Sequence, residues 1–129
     1  ILQVEPENQQ AVVMLLLSIT DQFATEEGDS VKRARDVLPR LQDDYKRAYY
    51  AGIIAERKAN ALLLRGAMGS EAVAHDWLRD AMRFYEKAEA MRPAGNDEAI
   101  LRWNTCARRL QKLNPARSTR EEMEPVLGE

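Results

Sequence analysis

Apolar residues recur at three- and four-residue steps through almost the whole chain, and this spacing constrains the fold more than any other feature. Side chains at these steps share one face of an α-helix, whereas a strand would alternate apolar and polar residues. Only 6 glycines and 5 prolines interrupt the pattern. The sequence therefore predicts an all-α fold of antiparallel helical hairpins, either a right-handed superhelix or a bundle of four or five helices.

Turn residues divide the chain into one helical domain, 1–115, and a polar tail, 116–129, which we expect to be flexible. The first helix begins at Pro6, because proline suits the first helical position. The second is expected to kink or to break briefly near Pro39, which lacks a backbone N–H, and to resume after it. The predicted helices span residues 6–25, 31–65, 70–92 and 96–113.

The helical spacing also predicts which side chains form the core. In the first helix these are Val12, Leu15, Leu16, Ile19 and Phe23. In the third helix they are Val73, Trp77, Ala81, Tyr85 and Ala88. In the fourth helix they are Ile100, Trp103, Ala107, Leu110 and Leu113.

The composition of the 129 residues, 45% hydrophobic and 31% charged, is typical of a water-soluble domain. A net charge of −2 gives the whole chain no strong attraction to nucleic acid or to an anionic membrane. The longest apolar run, 12–17, is far shorter than the roughly 20 residues that cross a bilayer. The sequence therefore predicts no membrane span.

Cys106 is the single cysteine, so the chain cannot form an internal disulfide. This fits a reducing compartment such as the cytoplasm. The chain begins at Ile1 and not at a methionine, which we interpret as a processed or trimmed fragment. An N-terminal signal or anchor removed in that way would change the compartment, so the sequence leaves localisation open.

Residue types that carry chemistry are sparse. His75, the only histidine, forms an i, i+4 pair with Glu71, but a metal site needs further ligands, so we expect a hydrogen-bonding histidine on the surface. Cys106 is predicted to be a small buried apolar residue, not a nucleophile. No glycine-rich phosphate loop or serine elbow is present. The sequence therefore predicts a protein that is not an enzyme and that needs no metal or cofactor.

One segment carries a family signature. Ala81, Tyr85, Ala88 and Pro93 are separated by four, three and five residues, a pattern that resembles the second helix of a tetratricopeptide repeat. In that family small residues let two antiparallel helices approach, and the aromatic ring fills the space between them. The following segment, 96–99, resembles the start of the next repeat. The resemblance implies a scaffold for protein–protein interaction or assembly.

The segment 99–120 contains six basic residues and no acidic residue. Arg102, Arg109 and Lys112 are expected on one side of the fourth helix, opposite much of its apolar stripe. This side is either a solvated face, whose cations suit a helix C-terminus, or an anion-binding surface. A patch this small would bind nucleic acid weakly and with a strong dependence on salt.

The resemblance implies that arginine and asparagine side chains on the first helix of each hairpin hold a peptide's backbone or terminal carboxylate. The candidate partner-binding residues are Asn60, Arg65, Arg102 and Asn104, to which the basic helix adds Arg109 and Lys112.

The sequence thus favours a non-enzymatic module that binds a peptide or partner protein. One alternative is weak binding of nucleic acid or another anion through the basic helix, and a second is a small-molecule sensor or enzyme with an enclosed pocket. Arrays of this kind usually need about three repeats to be stable. We therefore expect the first helix to cap the array, or the chain to form a homodimer.

Overall fold

A computed structural model describes residues 6–25 and 29–113, with side chains from residue 8 onward. It contains five α-helices and no strand within those ranges, which confirms the predicted all-α class. The predicted tail, 116–129, lies outside the described residues. The helices are α1 (Pro6–Thr20), α2 (Ser30–Val37), α3 (Asp44–Arg65), α4 (Ser70–Ala90) and α5 (Glu98–Lys112).

Near Pro39 the structure has a short break and not a kink. A 3-10 turn, Leu38–Arg40, follows α2, and Leu41 is extended, with φ −77° and ψ 134°. Asp43 then caps α3, where its Oδ1 accepts a hydrogen bond of 2.8 Å from the backbone N–H of Tyr45. Proline cannot continue a helix, and the aspartate cap starts a new one, so the segment forms two helices.

The α3–α4 hairpin is the most extensive helix pair of the fold. Gly66, with φ 66°, ends α3 in the left-handed conformation that glycine adopts without strain. In the middle of the hairpin the fully buried ring of Tyr85 lies against Gly52. A Cβ atom at position 52 would be 2.4 Å from Tyr85 Cε1, so a glycine is needed for this approach.

The last helix, α5, packs on α4 and runs parallel to α3. Its most buried residues are Ala99 and Cys106, two turns apart. These side chains complete a core of small and aromatic residues shared by the three helices, so α3, α4 and α5 form one packed unit. Its buried members are Tyr45, Ala48, Ile53, Ala55, Ala59, Ala74, Leu78, Ala81, Tyr85, Ala88, Ala99 and Cys106.

The N-terminal helices form a second apolar cluster against α3. Gln9 fixes α1 to the 3-10 turn: its Nε2 donates to the Arg40 carbonyl at 3.1 Å, and its Oε1 accepts from the Gln42 N–H at 3.0 Å. The buried residues of this cluster are Val12, Leu16, Ile19, Phe23, Ala34, Val37, Leu41, Ile54 and Ala61.

Several predictions of burial were wrong, among them the five core residues expected in the last helix, which are only partly buried. Leu15 and Val73 are each 42% exposed, and His75, expected at the surface, is only 5% exposed. The α4 helix packs against both α3 and α5, which turns its buried arc toward the small residues Ala72 and Ala74 and takes His75 with it. Among the described helices, none has an apolar stretch long enough to cross a bilayer.

Candidate partner-binding groove

Helices α1, α3 and α5 enclose an open groove of about 370 Å³, which we call the α3 groove. It contains residues of all three helices, and most of its lining residues belong to α3. Its lining residues are Leu17, Tyr49, Tyr50, Ile53, Glu56, Arg57, Asn60 and Arg102.

The floor of the groove contains a buried carboxylate, Glu56, which is 2% exposed. Its Oε1 accepts a hydrogen bond of 2.8 Å from the Tyr85 hydroxyl and one of 3.2 Å from Arg102 Nε. Its Oε2 accepts from Arg102 Nη2 at 2.5 Å. Removing a carboxylate from water costs free energy. Here hydrogen bonds from the neutral Tyr85 hydroxyl and the charged Arg102 guanidinium offset that cost.

The same contacts fix the protonation states of the donors. Burial raises the pKa of the Tyr85 hydroxyl well above its usual value, and the adjacent Glu56 charge raises it further. The hydrogen bond to Glu56 raises the pKa of the Arg102 guanidinium. Tyr85 therefore remains a neutral donor, and Arg102 remains a cation, throughout the physiological pH range.

The pairing with Glu56 does not use all the N–H donors of Arg102. A guanidinium carries five N–H donors, of which the bidentate contact to Glu56 uses one on Nε and one on Nη2. The side chain is 41% exposed and lines the groove, so part of it is open to a ligand. Glu56 thus holds a cationic donor in a fixed orientation at the edge of an open cleft.

Two further guanidinium groups adjoin the groove. Arg57 Nη1 donates to Thr20 Oγ1 at 3.0 Å and lies 3.2 Å from Asp21 Oδ1, which connects α3 to the end of α1. Arg109 Nη1 donates to Asn60 Oδ1, which connects α5 to α3. Three guanidinium groups therefore surround a groove whose own carboxylate is already paired.

Tyrosine rings form a stiff wall on the α3 side. Tyr49 stacks on Tyr45 with ring centroids 5.9 Å apart, and meets Tyr50 edge to face at 5.0 Å and Tyr85 at 5.8 Å. Burial raises the pKa of Tyr49 to about 12, so its hydroxyl is a neutral donor at physiological pH. Rings packed in this way keep the shape of the groove without a ligand.

The structure brings together half of the predicted partner-binding residues. Asn60 and Arg102 line the α3 groove, and Arg109 is hydrogen-bonded to Asn60. Arg65, Asn104 and Lys112 are not among its lining residues. Because α3 and α5 run parallel, Arg65 and Lys112, in the last turns of the two helices, lie toward the same end of the molecule.

The expected position of the α5 arginines was wrong. Arg102 and Arg109 do not point away from the buried face but face α3, where they bind Glu56 and Asn60. The sequence pattern of α5 alone could not show this, because the partners lie on another helix. Glu56 was missed, although a signal existed: a single acidic residue stands on a helix face with Gly52, Ala55 and Ala59.

Cys106 lies beside this network and is fully buried, as predicted. Burial raises the pKa of its thiol to about 12, and the Glu56 charge adds to the shift. At physiological pH the thiol is therefore protonated and a poor nucleophile. Within the ranges that the structure describes, no three histidine, cysteine, aspartate or glutamate side chains are grouped so that they could hold a metal ion.

Comparison of the chain with protein-family models, with curated proteins and with solved structures gives no match.

Proposed function

We propose that this chain is a non-enzymatic interaction module that binds a segment of a partner protein in the α3 groove. The observation that carries the proposal is the state of Arg102, which is anchored by buried Glu56, is 41% exposed and lines the groove. A donor held in place before binding loses little conformational entropy when a ligand arrives. Arg102 therefore suits recognition of an acceptor group on a partner.

The chemistry of the rim indicates what kind of acceptor fits. Arg57, Arg102 and Arg109 adjoin the groove, and Asn60 adds an amide. Of the carboxylates nearby, Glu56 and Asp21 are already paired with arginines. Burial and, after it, the charge of Glu98 raise the pKa of Tyr49 and Tyr50 in the groove wall. The groove therefore favours a peptide that offers carbonyl or carboxylate oxygens, because guanidinium groups bind these in charge-assisted hydrogen bonds.

The resemblance to tetratricopeptide repeats supports the same surface. In such an array, α1, α3 and α5 would be the first helices of successive hairpins, and these three helices line the groove. The close contact of Tyr85 with Gly52 fits the packing that the signature implies. We propose a repeat-like array on these grounds, with α1 as the cap of the incomplete array.

Binding of nucleic acid through α5 is a less favoured alternative. Two of the arginines that gave this helix its basic character are engaged with α3 side chains. An enzyme is also less favoured, because the buried Cys106 thiol is protonated and His75 is enclosed. Neither residue is placed for contact with a substrate in the α3 groove.

A homodimer is part of the proposal, because a second copy would complete the incomplete repeat array. Leu101, which is 60% exposed on the last described helix, is the side chain chosen to test this contact. Sedimentation analysis over a range of concentrations should show dimers for the natural chain and fewer for Leu101→Asp. A monomer at all concentrations would remove this part of the proposal.

Selection of displayed random peptides on the full chain tests the main proposal. Enriched peptides should bind Arg109→Glu at least about tenfold more weakly, since a repulsive charge replaces a donor beside Asn60. The matched control is Arg108→Glu, an identical charge change one residue away on the exposed side of α5, which should bind normally. Equal loss in both variants, or no enriched peptide, would contradict the assignment.

The same two variants test the nucleic-acid alternative. Binding of a labelled single-stranded oligonucleotide that falls steeply between about 50 and 200 mM salt, and that both charge reversals weaken, would favour the alternative.

A further inference from the structure

A second cavity lies on the other side of α5, between α4 and α5. This α4–α5 slot has a volume of about 270 Å³ and is lined by Tyr85, Glu86, Glu89, Ile100 and Trp103. Pockets for small-molecule ligands usually measure about 300–1,000 Å³, so the slot suits a single side chain better than a whole ligand. It does not share the guanidinium groups of the α3 groove.

The indole of Trp103 is held in place across the slot. Its Nε1 donates a hydrogen bond of 2.9 Å to Glu86 Oε2, which connects α5 to α4. This bond fixes the orientation of the ring. It uses one carboxylate oxygen of the exposed Glu86, and Oε1 takes no part in it. The slot therefore has one stiff aromatic wall with a carboxylate at its edge.

The second carboxylate of the slot, Glu89, is only partly satisfied. Its Oε2 lies 2.9 Å from Arg92 Nε, but its Oε1 is buried and has no hydrogen-bond donor among the described residues. Glu89 therefore has one ion-pair partner, Arg92, and adds a carboxylate to the lining of the slot.

The charges around the slot specify a cation. Glu86 and Glu89 line the slot. Among the described residues, Arg92 is the cation that pairs with Glu89, and its Nη1 also lies 3.7 Å from Asp97 Oδ1. The nearby Lys87 lines a different cleft, together with residues of α2 and α3. The slot thus combines an aromatic ring and an aliphatic side chain with an excess of negative charge.

We propose that the α4–α5 slot binds an arginine side chain of a partner protein. The aliphatic stem would lie against Ile100 and the Trp103 ring, and the guanidinium would reach Glu86 and Glu89. Arginine fits better than lysine, because its flat head stacks on an indole and donates two parallel hydrogen bonds to a carboxylate. This inference does not rest on the α3 groove, since no residue is shared between the two linings.

The test uses the full chain and a blocked peptide, Ac-Gly-Arg-Gly-NH2, titrated while the indole N–H resonances of Trp77 and Trp103 are recorded by NMR. The Trp103 signal should shift and saturate at millimolar concentrations, and the Trp77 signal should not move. The control peptide contains citrulline, which keeps the shape of arginine and removes its charge. The citrulline peptide should bind about three- to tenfold more weakly than the arginine peptide. Sodium chloride is added so that both titrations have the same ionic strength.

Two protein variants separate recognition from non-specific attraction. The double variant Glu86→Gln/Glu89→Gln should bind the arginine peptide no better than the citrulline peptide. Asp36→Asn on α2, which removes one exposed carboxylate outside the slot, should bind it normally. The proposal is overturned by equal binding of the two peptides, by normal binding to the double variant, or by no Trp103 shift up to about 50 mM peptide. None of these outcomes bears on peptide binding in the α3 groove, which Arg109→Glu tests separately.

Discussion

The two sides of α5 each meet a glutamate of a neighbouring helix, but in different states. On the α3 side, Glu56 is 2% exposed and receives hydrogen bonds on both oxygens from Tyr85 and Arg102. On the α4 side, Glu89 has a side chain that is 33% exposed and one buried oxygen without a donor in the part of the chain that the structure describes.

This difference separates stability from recognition. A buried polar network in which every group is paired fixes one arrangement of the helices, and removal of any member leaves another group without a partner. A partly exposed carboxylate at the edge of an open slot adds less to the fold and is placed to meet a ligand. We therefore expect variants on the α3 side to change the free energy of unfolding, and variants on the α4 side to change binding.

The largest effect is expected for Tyr85→Ala, because the Tyr85 ring lines the slot on one side and its hydroxyl contacts Glu56 on the other. The change removes a fully buried ring and should lower the free energy of unfolding by about 3–5 kcal/mol, measured by urea denaturation. Tyr85→Phe is the control, which removes only the hydrogen bond and should cost about 1–2 kcal/mol. A nearly neutral Tyr85→Ala would mean that the ring does not fill the space between the helices.

The next effect compares two arginines of α5 that both face α3. Arg102→Met keeps much of the stem but leaves the buried Glu56 charge without its cation, whereas Arg109→Met leaves only the neutral amide of Asn60. Loss of one partner from a buried ion pair costs about 3–5 kcal/mol, and partial exposure of Arg102 should reduce this to about 2–4 kcal/mol. Arg109→Met should cost less than about 1 kcal/mol. Similar costs for both would show that Glu56 does not depend on Arg102.

The sequence predicted the helical part of this comparison well. Apolar spacing indicated the all-α class, and the Ala81–Tyr85–Ala88 pattern indicated a closely packed helix around a buried ring. Both features are local, because they depend on residues one or two turns apart. Burial was predicted less well where a helix contacts two neighbours, as α4 does at Val73 and His75.

The polar site was harder to predict, because its contacts join residues far apart in the chain. Arg102 was selected for its charge, but its partner Glu56 is 46 residues away, and the pattern of α5 contains no sign of it. The slot was not predicted for the same reason: Trp103 was assigned to the core, whereas it is only partly buried and bonded to Glu86. Periodicity reports which face of a helix is apolar, but not which polar groups meet across helices.

A third prediction compares the two glutamates directly. Glu56→Gln replaces a paired buried carboxylate by an amide that cannot accept on both sides, and should lower the free energy of unfolding by about 1–3 kcal/mol. Glu89→Gln should change it by less than about 0.5 kcal/mol, because the side chain is partly exposed and one oxygen is unpaired. Urea denaturation of both variants at neutral pH measures the contrast. An equal cost would remove the distinction between the two sides of α5.

The smallest effect is expected for Cys106, which is buried next to Glu56 on the α3 side of α5. Burial raises the pKa of the thiol from 9.0 to about 12, so the folded state favours the neutral form. The resulting stabilisation is complete below about pH 9 and is lost as the pH rises toward the folded pKa, because only the unfolded chain ionises freely in that window.

Cys106→Ala removes this dependence. Between about pH 9 and pH 10 the natural chain should lose about 1 kcal/mol of unfolding free energy relative to the variant, as measured by urea denaturation at both pH values and at neutral pH. Above that range the comparison is less selective, because burial also raises the pKa of Tyr49 from 10.0 to about 12. Parallel pH profiles for the two proteins would mean that Cys106 ionises in the folded chain as readily as in the unfolded chain. Water would then reach this side of α5 more easily than the buried position of Cys106 indicates.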